Sequence, residues 1–176
     1  MAERRHQVTN RKIVYAGSAF KVEAFLIKKT GTRFSRVIMG NVVVVLPITK
    51  DGKVLLEKQY RYPLGKTLYE IPAGHVEKGE SIAAAGKREL EEETGYRASR
   101  LTHMTSFYPT PGISEELIHL YLAEGLEKTE KNLDLDEIIE TVKVSKAKML
   151  NMIKQNKIED GKSMVALLYY LCFFKG

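Results

Sequence analysis

The stretch from Gly74 to Tyr96 constrains this chain more than any other. Ser81 is placed to cap a helix, because its hydroxyl can accept a free first-turn N–H. Gly95 stands where a left-handed C-terminal cap favours a residue without Cβ. Between them, Ile82, Ala85 and Gly86 fall at the spacing of an inward face, and the same stripe continues into Glu89, Glu92 and Glu93. Glu91 points to the opposite side. Three carboxylates therefore share about 100° of arc, repelling one another by roughly 0.2–0.5 kcal/mol per pair. They also oppose the helix dipole, at about 0.3–1 kcal/mol each when exposed. A solvated acidic helix end would lie opposite the apolar stripe; this one prolongs it. Carboxylates gathered against their own repulsion suggest a hard divalent cation such as Mg²⁺, which takes oxygen ligands.

The spacing Gly74-x5-Glu80-x7-Arg88-Glu89-Leu90-x-Glu92-Glu93-x-Gly95-Tyr96 resembles the Nudix box, the signature of the Nudix hydrolases. A chance match to its fixed identities is expected at about 10⁻⁸ per start position on ordinary composition. Tyr96 departs from the pattern, where the family more often carries an aliphatic residue. The resemblance implies metal-assisted attack of water on phosphorus in a nucleoside diphosphate linked to another group. It implies Glu89, Glu92 and Glu93 as metal ligands, Mg²⁺ as the cofactor with Mn²⁺ able to substitute, and Gly74 and Gly95 as structural residues of the box. Arg88 and Glu80 resemble the family's buried structural pair, which orients the ligand helix from behind.

A chain of 176 residues is expected to form one domain with a sizeable core and a small N-terminal extension. Hydrophobic content of 44% and charged content of 28% are ordinary for a globular protein. The single Cys172 lies in an apolar helical run and reads as a buried thiol, so an intrachain disulfide or a thiolate zinc site is not expected. Residues 1–10 are polar and show no signal-peptide core, and the apolar run from Met164 to Phe174 is too short to span a membrane. A cytoplasmic protein is expected. The net charge is +6, with nine Lys or Arg among residues 1–40. Such a basic arm can attract nucleic acid, an anionic small molecule or only solvent, and nucleic acid is the less favoured partner.

Along the chain, Lys12–Tyr15, Phe20–Lys29 and Arg33–Met39 read as short strands of an antiparallel sheet too small to stand alone. Residues 1–40 are therefore expected to pack on the rest of the chain or to swap with a dimer partner, with residues 41–176 forming the main domain. Asn41–Thr49 suits a strand buried on both faces, and Asp51-Gly52 turns it into Lys53–Arg61. Strands are expected at Leu68–Ile71, Leu101–Phe107, Leu117–Ala123 and Ile138–Val144, with helices from Ser145 to Gln155 and over Lys162–Phe174. The fold class is α/β (α+β), a mixed sheet with helices on its faces, in agreement with the α/β/α sandwich that the Nudix resemblance implies.

Flanking residues resemble the ADP-ribose pyrophosphatase branch: Gln59-Tyr60-Arg61, Glu70-Ile71-Pro72-Ala73-Gly74, and Pro111 followed by Gly112-Ile113-Ser114-Glu115-Glu116. That likeness implies Mg²⁺-dependent hydrolysis of ADP-ribose to AMP and ribose 5-phosphate. Other Nudix substrates, such as NADH, a nucleotide sugar or a dinucleoside polyphosphate, form the alternative, and a nucleic-acid- or ligand-binding Nudix domain is a further one. By the same likeness the carbonyl of Ala73 is a metal ligand and Glu116 the general base or water-positioning group, with Glu115 its rival. Arg61 suits bidentate phosphate contact, or is a surface arginine. Glu70 would contact the ribose or adenine, or cap a turn. Phe20 would stack on the adenine, or serve as core. The small-molecule nucleotide is the expected partner, together with a second copy of the chain in a homodimer.

Overall fold

The computed structural model describes residues 7–135 and 137–174. These group into two compact units, one holding the described residues up to Asn41 together with Tyr108–Leu117, the other Val42–Phe107 and the residues from Ile118 onward. In chain order the elements are β1 (Val8–Ala16), β2 (Lys21–Ile27), β3 (Arg33–Ile38), β4 (Asn41–Pro47), β5 (Val54–Arg61), β6 (Lys66–Glu70), β7 (Ala73–His75), α1 (Ile82–Thr94), β8 (Tyr96–Phe107), β9 (Leu117–Lys128), β10 (Ile139–Val144), α2 (Lys146–Lys154) and α3 (Gly161–Phe173).

The first unit is the antiparallel sheet β1-β2-β3. The segment Tyr108–Leu117 adds to its edge, where the Val37 N–H donates to the Ile113 carbonyl at 2.8 Å. Glu23 is nearly buried in this sheet and accepts from Arg11 and Arg36, each at 2.9 Å. Ile13, Val14, Tyr15, Phe20 and Phe34 are large apolar side chains left exposed on it.

In the second unit a four-stranded sheet runs in the order β7-β4-β9-β8, and a three-stranded one in the order β10-β5-β6. The valine run of β4 shows no polar alternation because each of its faces meets a core. Val42, Val44 and Leu46 pack with Leu56, Leu120, Met149 and Leu167, while Val43 and Val45 pack with Ala85 and Leu90 of α1. Helices thus lie on both faces of the sheet system, the α/β/α arrangement expected. Several boundaries differ from expectation. β8 starts directly after the α1 cap, β9 runs on to Lys128, and the short β7 pairs with β4 where a loop was expected. Cys172 is exposed, which corrects the expectation of a buried thiol. The inward face of α3 is carried by Ser163, Ala166 and Leu167, a register that leaves position 172 outside. No helix among the described residues is long and apolar enough to cross a membrane.

Helix α1 has the caps that its residues imply. Ser81 Oγ accepts from the Ala84 N–H at 3.2 Å, and Gly95 takes φ 70°, its N–H donating to the Glu91 carbonyl. A Cβ at Gly95 would sit 3.1 Å from Lys131 Cγ and 3.3 Å from the Thr129 carbonyl oxygen. Gly95→Ala is accordingly expected to cost about 1–2 kcal/mol through its left-handed backbone, read as a lower urea midpoint at unchanged m-value.

Candidate functional site

A cavity of about 350 Å³ opens in the second unit. Its walls are Gln59 and Arg61 from β5, Ala73, Gly74 and His75 from β7, Arg88, Glu89, Glu92 and Glu93 from α1, and Asn132, Asp134 and Glu137 from the β9–β10 connection.

The acidic end of α1 is only in part a continuation of the apolar face. That face consists of Ala85, Gly86, Leu90, Glu93 and Thr94, with Glu89 and Glu92 at its border, their side chains 13% and 33% exposed. Glu91 is half-buried rather than fully outward. Glu93 is 2% exposed, and its Oε2 accepts from the Ala73 N–H at 2.9 Å, which ties α1 to β7. Burial, followed by the charges of Glu57 and Glu89, holds the Glu93 carboxyl well above the ordinary carboxylate range. Glu89 is shifted up as well, by burial against the opposing pull of Arg88.

Arg88 organises the rim. Its Nε and Nη2 donate to Glu80 at 3.2 and 3.1 Å, its Nη1 to Glu89 at 2.7 Å and Glu92 at 3.1 Å, and its Nη2 to the His75 carbonyl at 3.1 Å. The guanidinium is stabilised in its charged form chiefly by Glu80, and Arg88 lowers the Glu80 carboxyl in return. Gly74 is required by crowding: a Cβ there would fall on the Glu89 carboxylate.

On the opposite flank of the sequence motif, Arg61 Nε and Nη2 donate to the two oxygens of Glu70 at 2.7 and 2.6 Å. Glu70 is 1% exposed and also receives Lys162. Burial alone would raise its carboxyl, but Arg61 and Lys162 outweigh it and the net shift is downward. Both oxygens are engaged by cations, and Glu70 holds Arg61 in place. The N-terminus of α3 anchors the same corner, where Ser163 Oγ accepts from the Ile71 N–H at 2.9 Å and donates to Asp160 at 2.5 Å.

Of the residues expected from sequence, Arg61, Ala73, Gly74, Arg88, Glu89, Glu92 and Glu93 meet at this cavity. Glu116 and Phe20 belong to the first unit. There Glu115 pairs with Arg36 at 2.6 Å, Glu116 carries no ion pair among the described residues, and the Phe20 ring packs 5.4 Å from that of Tyr15. Sequence reading missed three acids. Asp134 and Glu137 lie in what reads as an ordinary acidic loop, and both reach the cavity wall. Glu57 lies within β5 and is completely buried; the only sign of it in the sequence is a charge inside an apolar strand.

The donor set is carboxylate oxygen throughout, which fits a hard divalent cation. The carboxylates share a cavity but are not drawn to one point. Among the described residues no three acidic, histidine or cysteine side chains stand close enough to chelate an ion as arranged. Mutual repulsion, and the grip of Arg88 on Glu89 and Glu92, account for the spread.

A Nudix domain model matches residues 39–166. The chain belongs to the Nudix family. It is 43% identical over 129 residues to a Bacillus subtilis protein named ADP-ribose pyrophosphatase, covering 72% of this chain and 70% of that one. The match to a Bacillus methanolicus protein named methanol dehydrogenase activator has the same identity and the same coverage. A crystal structure of an ADP compounds hydrolase superposes with a TM-score of 0.81 at 22% identity, over 94% of this chain and 91% of that one, and so shares this Nudix fold.

Burial pushes the Glu57 carboxyl up to about 8 from an ordinary 4.5, and neighbouring acids add to it. A carboxyl that holds its proton more tightly folded than unfolded favours the folded state at low pH. That contribution is whole below the ordinary carboxylate range and is lost as pH rises toward 8. In chelator-treated Nudix protein, Tm is expected to fall between pH 5 and pH 8 in differential scanning calorimetry. Glu57→Gln should flatten the slope; a wild-type Tm independent of pH over this range would contradict the assignment.

Proposed function

We propose that this Nudix hydrolase is a Mg²⁺-dependent pyrophosphatase that splits ADP-ribose into AMP and ribose 5-phosphate. The observation that carries the reading is one cavity offering both kinds of group a pyrophosphate requires: the carboxylates Glu89, Glu92, Glu93 and Glu137, and the fixed guanidinium of Arg61. The name of the Bacillus subtilis relative supports the choice of substrate. Glu89, Glu92 and Glu93, with the carbonyl of Ala73, would hold the cation, and Mn²⁺ would substitute. Bound there, a divalent cation would neutralise phosphate charge and acidify the attacking water. Arg61 would grip a phosphate bidentately, and Glu70 with Lys162 keeps it from swinging away. Glu116 is the proposed base: its carboxylate is unpaired among the described residues, whereas Glu115 is occupied by Arg36. Phe20, partly exposed, would stack on the adenine.

The functional form we propose is a cytoplasmic homodimer in which the sheet of residues 1–40 covers its exposed Ile13, Val14, Tyr15 and Phe34 against a second copy. Deleting residues 1–40 is expected to give a monomer with a sharply raised KM, measured by light scattering and steady-state kinetics. An active truncated monomer would refute the dimer reading.

The substrate is tested with Mg²⁺ and a panel of ADP-ribose, NADH, GDP-mannose, a diadenosine polyphosphate and a nucleoside triphosphate, comparing kcat/KM and separating products. Preference for ADP-ribose with release of AMP is expected. Preference for another member would leave the Nudix chemistry standing and move the substrate to the alternative class. Glu93→Gln should lower kcat by roughly 100-fold or more while the protein stays folded, and full Mg²⁺-dependent activity in that variant would refute the ligand assignment.

A further inference from the structure

Among the described residues, Glu57 is a carboxyl group with no partner. Its residue exposure is 0%, and neither of its oxygens finds a hydrogen-bond donor among the described residues. A buried carboxyl without hydrogen-bond partners is costly whether or not it carries its proton, and buried polar atoms in folded proteins almost always have partners. A fully buried glutamate with both oxygens free therefore calls for a group that meets it in the working protein.

Its position says where that group would come from. Alternate residues of a strand share a face, so Glu57 lies on the same face of β5 as Gln59 and Arg61, both of which line the cavity. The charges acting on it are those of Lys131, Glu70, Glu137 and Lys162, and it acts in turn on Glu93. Lys162 is already engaged by Glu70 and Asp160, and Glu70 by Arg61 and Lys162. Thr141, the register partner of Glu57 on β10, also buries a hydroxyl without a partner. Lys131 gives its ammonium to the Ile139 carbonyl at 3.4 Å and makes no hydrogen bond to Glu57. Glu93 and Glu137 remain, and they bear the same sign as Glu57. Unpartnered carboxylate and hydroxyl oxygens on register partners, within reach of the Glu93 charge, have the chemistry of a cation site or of its bound water, not of an anion or an apolar group.

We propose that Glu57 is an additional carboxylate of the cation centre, giving its oxygens to an ion shared with Glu93, directly or through one water. This rests on the divalent-cation dependence proposed above and extends it to a residue outside the Nudix box. Glu57 deepens the acidic wall of α1 into the sheet, so that the ion is gripped from β5 as well as from the helix.

The test uses the full-length protein and Mn²⁺ alone, without substrate, reading free Mn²⁺ by electron paramagnetic resonance and the Tm gained on adding the ion. Glu57→Gln keeps the shape and Glu57→Val removes the polar group, so that either variant that folds answers the question. Both are expected to bind Mn²⁺ about tenfold or more weakly and to gain less Tm from it, while their metal-free Tm at pH 8 rises above that of the wild type. Wild-type affinity and wild-type Tm gain in a Glu57 variant would overturn the proposal and leave the cation dependence standing, provided that Glu93→Gln weakens binding in the same assay. A wild-type protein that binds no Mn²⁺ would overturn both.

Discussion

The bond from the Ala73 N–H to the buried carboxylate of Glu93 joins the residue just before the Nudix box to the box's helix. It binds the start of β7 to the last turn of α1 at a point that is 2% exposed. A carboxylate placed there would be costly without that donor. The rest of the cavity is arranged around this one strained choice. Arg88 compensates the charges at the rim, Gly74 leaves room for Glu89, and the β9–β10 connection closes the wall with Asp134 and Glu137.

Charge compensation in this Nudix protein is uneven, and the unevenness separates holding from binding. Glu70 and Glu80 are each matched to an arginine and are shifted downward. They are spent on keeping Arg61 and Arg88 in place. Glu57, Glu89 and Glu93 are shifted upward because burial outweighs the cations near them. Glu89 and Glu93, raised by burial on the cavity wall, are acids of the kind a cation can use.

The double-faced β4 explains how such a site is kept rigid. Its odd and even residues enter different cores, so α1 is pressed on one side of the sheet while α2 and α3 pack on the other. The acids of α1 are therefore fixed by apolar contacts made a turn or two earlier, at Ala85 and Leu90, rather than by the acids themselves.

By itself the sequence determined the helix, its caps and its acidic end, because those depend on residues within one or two turns. Ser81, Gly95 and the period of Ala85, Gly86 and Glu93 carry their own geometry. The valine run likewise announced a strand buried on both faces. Tertiary structure alone decided the rest. The fate of Glu70 depends on Lys162, which lies 92 positions along the chain, and that of Glu57 on a burial that no local pattern encodes. The exposure of Cys172 turned on which face α3 presents to the core. The reach of Glu137 to the cavity depended on how a loop folds back. Local periodicity specifies which residues lie side by side on an element, but a charge acquires its partners, or lacks them, only when separate elements pack.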